Sequence, residues 1–141
     1  MTQRRPRRRP GENRERLLEA GLIEFGLFGY HGASTSAIAA RADVPQPHLY
    51  ASFATKRDLF LSCCARAFAV PAEDSRDGNT GRTVEPHTGR NRLLMQAIAV
   101  ARDPQLQESL EPLLQRFIAH SGETLSALLD DAAASLLATD A

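Results

Sequence analysis

The segment STSAIAARADVPQPHLYASF, from Ser34 to Phe53, constrains the fold more than any other part of the chain. It holds two short helical runs with a turn of three or four residues between them. Ser34 is a good N-cap for the first run, which continues through small residues to Ala42. Small side chains let a second helix pack close. Asp43 falls at a turn position that requires positive φ, which Asp tolerates better than most residues. Pro47 falls in the first turn of the next run, where a missing backbone N–H does no harm. That run spans Gln46 to Ser52. Two helices joined in this way form a helix-turn-helix.

Helical spacing continues on both sides. A first helix should start near Asn13, bury Leu17, Leu18, Leu22, Phe25 and Phe28, and end at Gly29 with a left-handed cap. A fourth should start near Lys56 and carry Leu59, Phe60, Cys63, Ala67 and Phe68. The stretch VPAEDSRDGNTGRTVEPHTGRN, residues 70–91, lacks apolar periodicity and reads as a loop or disordered linker. Helix resumes with Leu93, Leu94, Ala97, Ile98 and Ala101, and is interrupted at RDP. Leu106, Leu110, Leu113, Leu114, Phe117 and Ile118 mark another helix; Leu125, Leu128, Leu129, Leu136 and Leu137 mark the last. No strand pattern competes. The expected fold is all-α, with a helix-turn-helix three-helix unit before a short helical region. The divisions are a flexible basic arm at 1–12, the helix-turn-helix unit at 13–69, the linker at 70–91 and the helical region at 92–141.

The formal net charge is zero, but its distribution is uneven. Residues 1–68 hold eleven Arg and Lys against six Asp and Glu; residues 69–141 hold six against eleven. A basic half beside an acidic half points to a polyanion partner for the first half. Arg4, Arg5, Arg7, Arg8 and Arg9 repel one another in the arm, where prolines block helix. Cys63 and Cys64 are adjacent, so a disulfide between them would be strained, and they lack metal spacing with any His. This favours a reducing, cytoplasmic setting with no bound metal. No apolar run approaches the roughly eighteen residues of a membrane span. The arginine-rich start lacks the apolar segment of a secretory signal, and Pro6, Pro10 and Gly11 spoil a mitochondrial presequence. Paired carboxylates in an apolar setting, a nucleophile–base pair and a phosphate-cradling glycine loop are all missing from the pattern. Neither catalytic residues nor a cofactor are expected.

In a helix-turn-helix the second helix enters the major groove with its N-terminal residues at base edges. That places Gln46, Pro47, His48 and Tyr50 at DNA. Gln pairs bidentately with adenine, and apolar atoms touch the thymine methyl. Ser34 and Lys56 stand at helix starts, where phosphate also binds. Basic arms reach into minor grooves in other helix-turn-helix proteins. The bland readings are a half-buried core Tyr50, an ordinary exposed His48, a solvated arm and core cysteines.

The run from Arg16 to Phe60 resembles the DNA-binding domain of the tetracycline-repressor (TetR) family of bacterial regulators. The matching features are the apolar LLEA and EF, then GY, then IA..A..V, then LY..F..K..L, in that order. The resemblance implies that the third helix is the recognition helix. By matched position, Gln46, Pro47 and His48 face bases or nearby phosphates. Tyr50, Ser52, Lys56, Ser34 and Ser36 match backbone or groove-edge contacts. Pro45 stands where the family often has a Ser or Thr cap, and Asp43 replaces a frequent Gly. The family continues with a larger ligand-binding and dimerising domain, of which LLMQAIAVARDPQLQE is similar to one internal part. The C-terminal region is expected to be a shortened version. A homodimer on a double-stranded DNA operator is implied, with the seam at Leu125, Leu128, Leu129, Ala132, Leu136 and Leu137. A small apolar ligand would sit among Leu94, Met95, Ile98, Leu110, Leu114 and Phe117, where two apolar stripes can face one another. The resulting expectation is a DNA-binding transcriptional repressor. The alternative is a helical interaction or dimerisation module that no longer binds DNA specifically.

Overall fold

The computed structural model describes residues 8, 9, 11–69 and 86–138. Seven helices and no strand occur among them: α1 (Glu12–Gly32), α2 (Thr35–Ala42), α3 (Gln46–Ser52), α4 (Lys56–Ala67), α5 (Pro86–Ala99), α6 (Gln107–His120) and α7 (Leu125–Leu137). Arg4, Arg5, Arg7 and residues 70–85 lie outside the described residues.

Helix α1 is the axis of the molecule; α2, α3, α4 and α5 all pack on it. Leu17, Leu18 and Phe25 are buried as their spacing requires. Phe25 meets Phe60 of α4 edge-on at 5.0 Å, and Tyr30 packs against the same ring at 5.0 Å. Phe28, expected inside, is exposed, because the helix is interrupted one residue later. Gly29 has φ 78° and ψ 173°, a conformation open essentially to glycine alone. It interrupts the helix at the expected residue, but with an extended ψ in place of the expected left-handed cap, and Tyr30–Gly32 resume a helical turn beyond it.

Helix α2 buries only Ile38, Ala39 and Ala42, so it lies close to α1. Arg41 of α2 reaches Glu24 of α1 at 2.8 Å, which pairs the otherwise buried carboxylate. Helix α4 starts after Thr55, whose hydroxyl accepts from Asp58 N–H at 3.0 Å. Cys63 and Cys64 are both free thiols and both buried.

Helix α5 begins at Pro86, inside the segment expected as linker, so the expectation of loop fails for 86–91. The apolar signal is weak there because polar groups dock this turn. Asn91 is buried and donates to Asp131 of α7 at 2.9 Å. Helix α5 also lies unusually near α1. A Cβ at Gly26 would stand 3.2 Å from Arg92 Cβ, and Gln96 Nε2 donates to the Gly26 carbonyl at 3.3 Å.

The two halves therefore share one core, continuous from Leu17 on α1 to Leu128 on α7. Polar ties add to it at the far end. Arg57 Nε donates to the Gln105 carbonyl at 2.6 Å, and His31 Nε2 lies 3.8 Å from Asp103 Oδ2. Burial, then the nearby Asp103, raise the Tyr30 hydroxyl above its ordinary pKa, against the opposing charge of Arg57.

Helix α7 packs on α5. Leu128 and Ala132, expected in a dimer seam, are fully buried within the chain instead. Leu129 and Leu136 are half-buried, and Leu137 is 80% exposed. Apolar residues thus occupy two sides of α7, and only one of them belongs to the core.

Candidate nucleic-acid interface

The geometry of the site is set by how α2 stops. Asp43 N–H donates to Ala40 O at 3.1 Å and Val44 N–H to Ala39 O at 3.0 Å. These two bonds form a Schellman motif with Asp43 in the left-handed position, φ 55° and ψ 45°. The positive φ expected at Asp43 is present. Val44 then turns inward and is buried. Pro45 is extended and caps α3 without a side-chain hydrogen bond, as expected of a proline there. Pro47 follows in the first turn of α3, where no N–H is needed.

Helix α3 is held by two residues one turn apart. Leu49 and Phe53 are buried, and the Arg14 guanidinium covers the Phe53 ring at 5.1 Å. Every other side chain of α3 is exposed: Gln46, Pro47, His48, Tyr50, Ala51 and Ser52. All four residues that the sequence places at DNA, Gln46, Pro47, His48 and Tyr50, are among these exposed side chains. Tyr50 is 49% exposed and is not a core tyrosine.

The start of α2 borders this face. Ser34 Oγ accepts from Ala37 N–H at 3.1 Å and lies 3.3 Å from Ser36 Oγ. Both serines are exposed. Between them stands Thr35, which sequence reasoning passed over. Its Oγ1 lies 3.0 Å from Tyr50 Oη and accepts from Gln46 Nε2 at 3.3 Å. The three consecutive hydroxyl residues were a visible signal, but the link to residues eleven and fifteen positions on depends on the turn between the helices.

Lys56 is placed differently from a freely projecting cation. Its ammonium lies 5.2 Å from the Tyr30 ring centre and 3.5 Å from the His31 carbonyl. Partial burial lowers its pKa below the ordinary lysine value. Of the arm, Arg8 and Arg9 are described. Arg8 donates to Asn13 Oδ1 at 2.9 Å and to Asp43 Oδ2 at 3.2 Å, so it lies against the α2–α3 turn. The backbone N–H of Arg9 donates to Glu12 Oε2 at 3.1 Å.

The six residues selected for an apolar ligand sit in the core or at its edge. Leu94, Leu110, Leu114 and Phe117 are packed into the core, with Met95 and Ile98 half-buried at its edge. Helix α5 packs chiefly on α1 and α7 and touches α6 only lightly, so the two stripes do not form a facing pair. A cleft of about 280 Å³ lies elsewhere, lined by Leu18, Glu19, Leu22, Cys63, Arg66, Ala67 and Arg90. Among the described residues there is no cluster of His, Cys, Asp and Glu suited to a metal ion. None of their helices is long and apolar enough to cross a membrane.

Comparison with known proteins agrees with this arrangement. Residues 17–63, which run from α1 into α4, match the model for bacterial regulatory proteins of the tetR family. The chain is 37% identical over 102 residues to the HTH-type transcriptional repressor KstR of Rhodococcus jostii, covering 70% of this chain and 46% of that one. It is 31% identical over 93 residues to the HTH-type transcriptional repressor SCO4008 of Streptomyces coelicolor, covering 62% and 48%. With the uncharacterized HTH-type transcriptional regulator YdgC of Bacillus subtilis it shares 41% identity over 49 residues, 35% of this chain and 25% of that one. The chain spans less than half the length of each of these relatives. Residues 17–63 of the chain are thus similar to the helix-turn-helix segment of the tetR family of bacterial regulatory proteins.

Proposed function

We propose that the chain is a DNA-binding transcriptional regulator, acting as a repressor, that lays α3 in the major groove of a double-stranded operator. The observation that carries this reading is the face of α3. Leu49 and Phe53 fix the helix to the core, while Gln46, Pro47, His48 and Tyr50 stand outward. Gln46 and His48 offer hydrogen bonds to base edges, and Pro47 offers an apolar contact. Ser34, Ser36 and Tyr50 flank the helix with hydroxyls suited to phosphate oxygens, and Ser52 and Lys56 stand at its far end. The arginine arm supplies charge and Arg8 sets its root. Two of the similar relatives are named as repressors, which supports the same sign of regulation here.

A homodimer belongs to the proposal, since one recognition helix reads only a few base pairs. The outward side of α7, with Leu129, Leu136 and Leu137, is the apolar surface that favours it. A small apolar effector would enter the cleft beside Leu18, Leu22 and Cys63 rather than the buried core residues of α5 and α6. The test is a selection of bound sequences from random duplexes with purified protein. Enrichment of a palindromic motif is expected. Salt-insensitive binding with no enriched motif would sink the proposal in favour of an interaction module that does not read DNA.

A further inference from the structure

Thr35 stands between two residues that the proposed function assigns to DNA. Its Oγ1 accepts from Gln46 Nε2 at 3.3 Å and lies 3.0 Å from Tyr50 Oη. Side chains from two helices thus meet at one oxygen. A hydroxyl carries one hydrogen and two acceptor positions, whereas an amide nitrogen only donates. With Gln46 donating into one of those positions, the Thr35 hydroxyl can donate its own hydrogen to Tyr50 Oη or accept the Tyr50 hydrogen at the other. When Thr35 donates, the Tyr50 hydrogen is left for a partner outside the protein. A hydroxyl that accepts one hydrogen bond becomes a better donor of the next. The acceptor that duplex DNA places beside a recognition helix is a phosphate oxygen.

The same contact orients Gln46. Its amide has one oxygen and two N–H groups. One N–H goes to Thr35, which leaves Oε1 to accept and the second N–H to donate. Adenine presents the complementary pair, a donor at N6 and an acceptor at N7. Guanine presents two acceptors, N7 and O6, so the Gln46 oxygen would face an acceptor. Turning the amide over would require the Thr35 hydrogen for Oε1 and so withdraw it from Tyr50 Oη.

We infer that Thr35 is a positioning residue for base readout, whose hydroxyl holds the Gln46 amide in its adenine-reading orientation and directs the Tyr50 hydroxyl to phosphate. Thr35 does this without touching a base. The inference rests on the proposed placement of α3 in the major groove.

The experiment is a binding profile across a duplex library for wild type, Thr35→Val and Thr35→Ser, followed by double-mutant cycles with Gln46→Ala and Tyr50→Phe. Valine keeps the branched shape at the start of α2, and a thermal melt checks that the fold is retained. Thr35→Val should weaken discrimination by about tenfold at the one base pair that Gln46→Ala relaxes. Thr35→Ser should restore it. Thr35→Val should add little once Gln46 or Tyr50 is already truncated. A Thr35→Val protein that loses affinity equally for all sequences, or whose effects add fully to both partners, would overturn the inference and leave major-groove reading intact. A wild-type protein without any sequence preference would remove the proposed function and this inference with it.

Discussion

Arg8 Nη2 lies 3.2 Å from Asp43 Oδ2, so the root of the basic arm is tied to the turn between the two helices of the helix-turn-helix. Outside the five arm arginines, residues 1–68 hold six Arg and Lys and six Asp and Glu. The entire basic excess of that half is therefore in the arm. Deleting residues 1–10 should weaken binding to all duplexes and flatten the salt dependence. Each lost phosphate contact should lower the log–log slope by about 0.9. Asp43→Asn, which keeps a residue tolerant of the left-handed conformation, should release Arg8 and steepen the slope. Fluorescence anisotropy over a salt series measures both. An unchanged slope after the deletion would show the arm to be a spectator.

Gln46 and Lys56 should separate in their sequence profiles. Gln46→Ala should relax preference at one base pair and cost roughly 1–3 kcal/mol at the preferred site. Lys56→Ala should weaken all sequences alike, because phosphate carries no base identity. Indistinguishable profiles from the two variants would refute this sorting of contacts.

Gly29→Ala should destabilise the chain by about 1–3 kcal/mol, since its φ of 78° is strained for any side chain and a Cβ would stand 2.9 Å from Gln96 Oε1. Denaturant melts should show a lower midpoint with an unchanged slope. A midpoint equal to that of wild type would mean that the break in α1 does not depend on glycine.

On α7 the two apolar sides should give opposite phenotypes. Leu128→Ala empties a fully buried position and should cost about 2–5 kcal/mol of stability. Leu129→Asp should leave the melt nearly unchanged but abolish paired occupancy of a palindromic duplex. Sedimentation with and without that duplex tests the second claim. Wild-type protein that stays monomeric on a palindrome would rule out the dimer.

Burial pushes the Cys63 thiol up to about 12, and Cys64 is likewise raised by burial and by its neighbour. Both should resist a thiol reagent at pH 8 in the native protein and react at the rate of unfolding. An unfolded thiol ionises from about pH 9, while the folded one holds its proton to much higher pH. The unfolded state therefore binds fewer protons above pH 9, and stability should fall as pH rises from there toward 12. Rapid labelling at pH 8 without unfolding would contradict this placement of the thiols.

The elements most legible in the sequence were those fixed by neighbouring residues. Ser34, Asp43 and Pro47 specify the ends of α2 and α3 through local capping and φ preferences, and these ends lie where the sequence puts them. Less legible were choices made by packing. Helix α5 starts at Pro86 and buries Asn91 against Asp131 forty residues away, a contact that no local pattern encodes. Leucines line two sides of α7, and only contact with α5 decides that Leu128 is internal and Leu129 less so. Thr35 was hidden for a third reason. Its partners Gln46 and Tyr50 come within reach only once the turn is built.

The core that runs without interruption from Leu17 to Leu128 bears on how this protein responds to mutation. With no internal boundary to stop the loss, damage to α5, α6 or α7 lowers the folded fraction of the whole molecule, α3 included. On the proposed function, a genetic screen for loss of repression will then return substitutions at Leu110 or Leu128 beside those at Gln46, although the former lie on other helices than α3. Residual occupancy at low temperature tells the two groups apart: the distant ones recover it, and the recognition-helix ones do not.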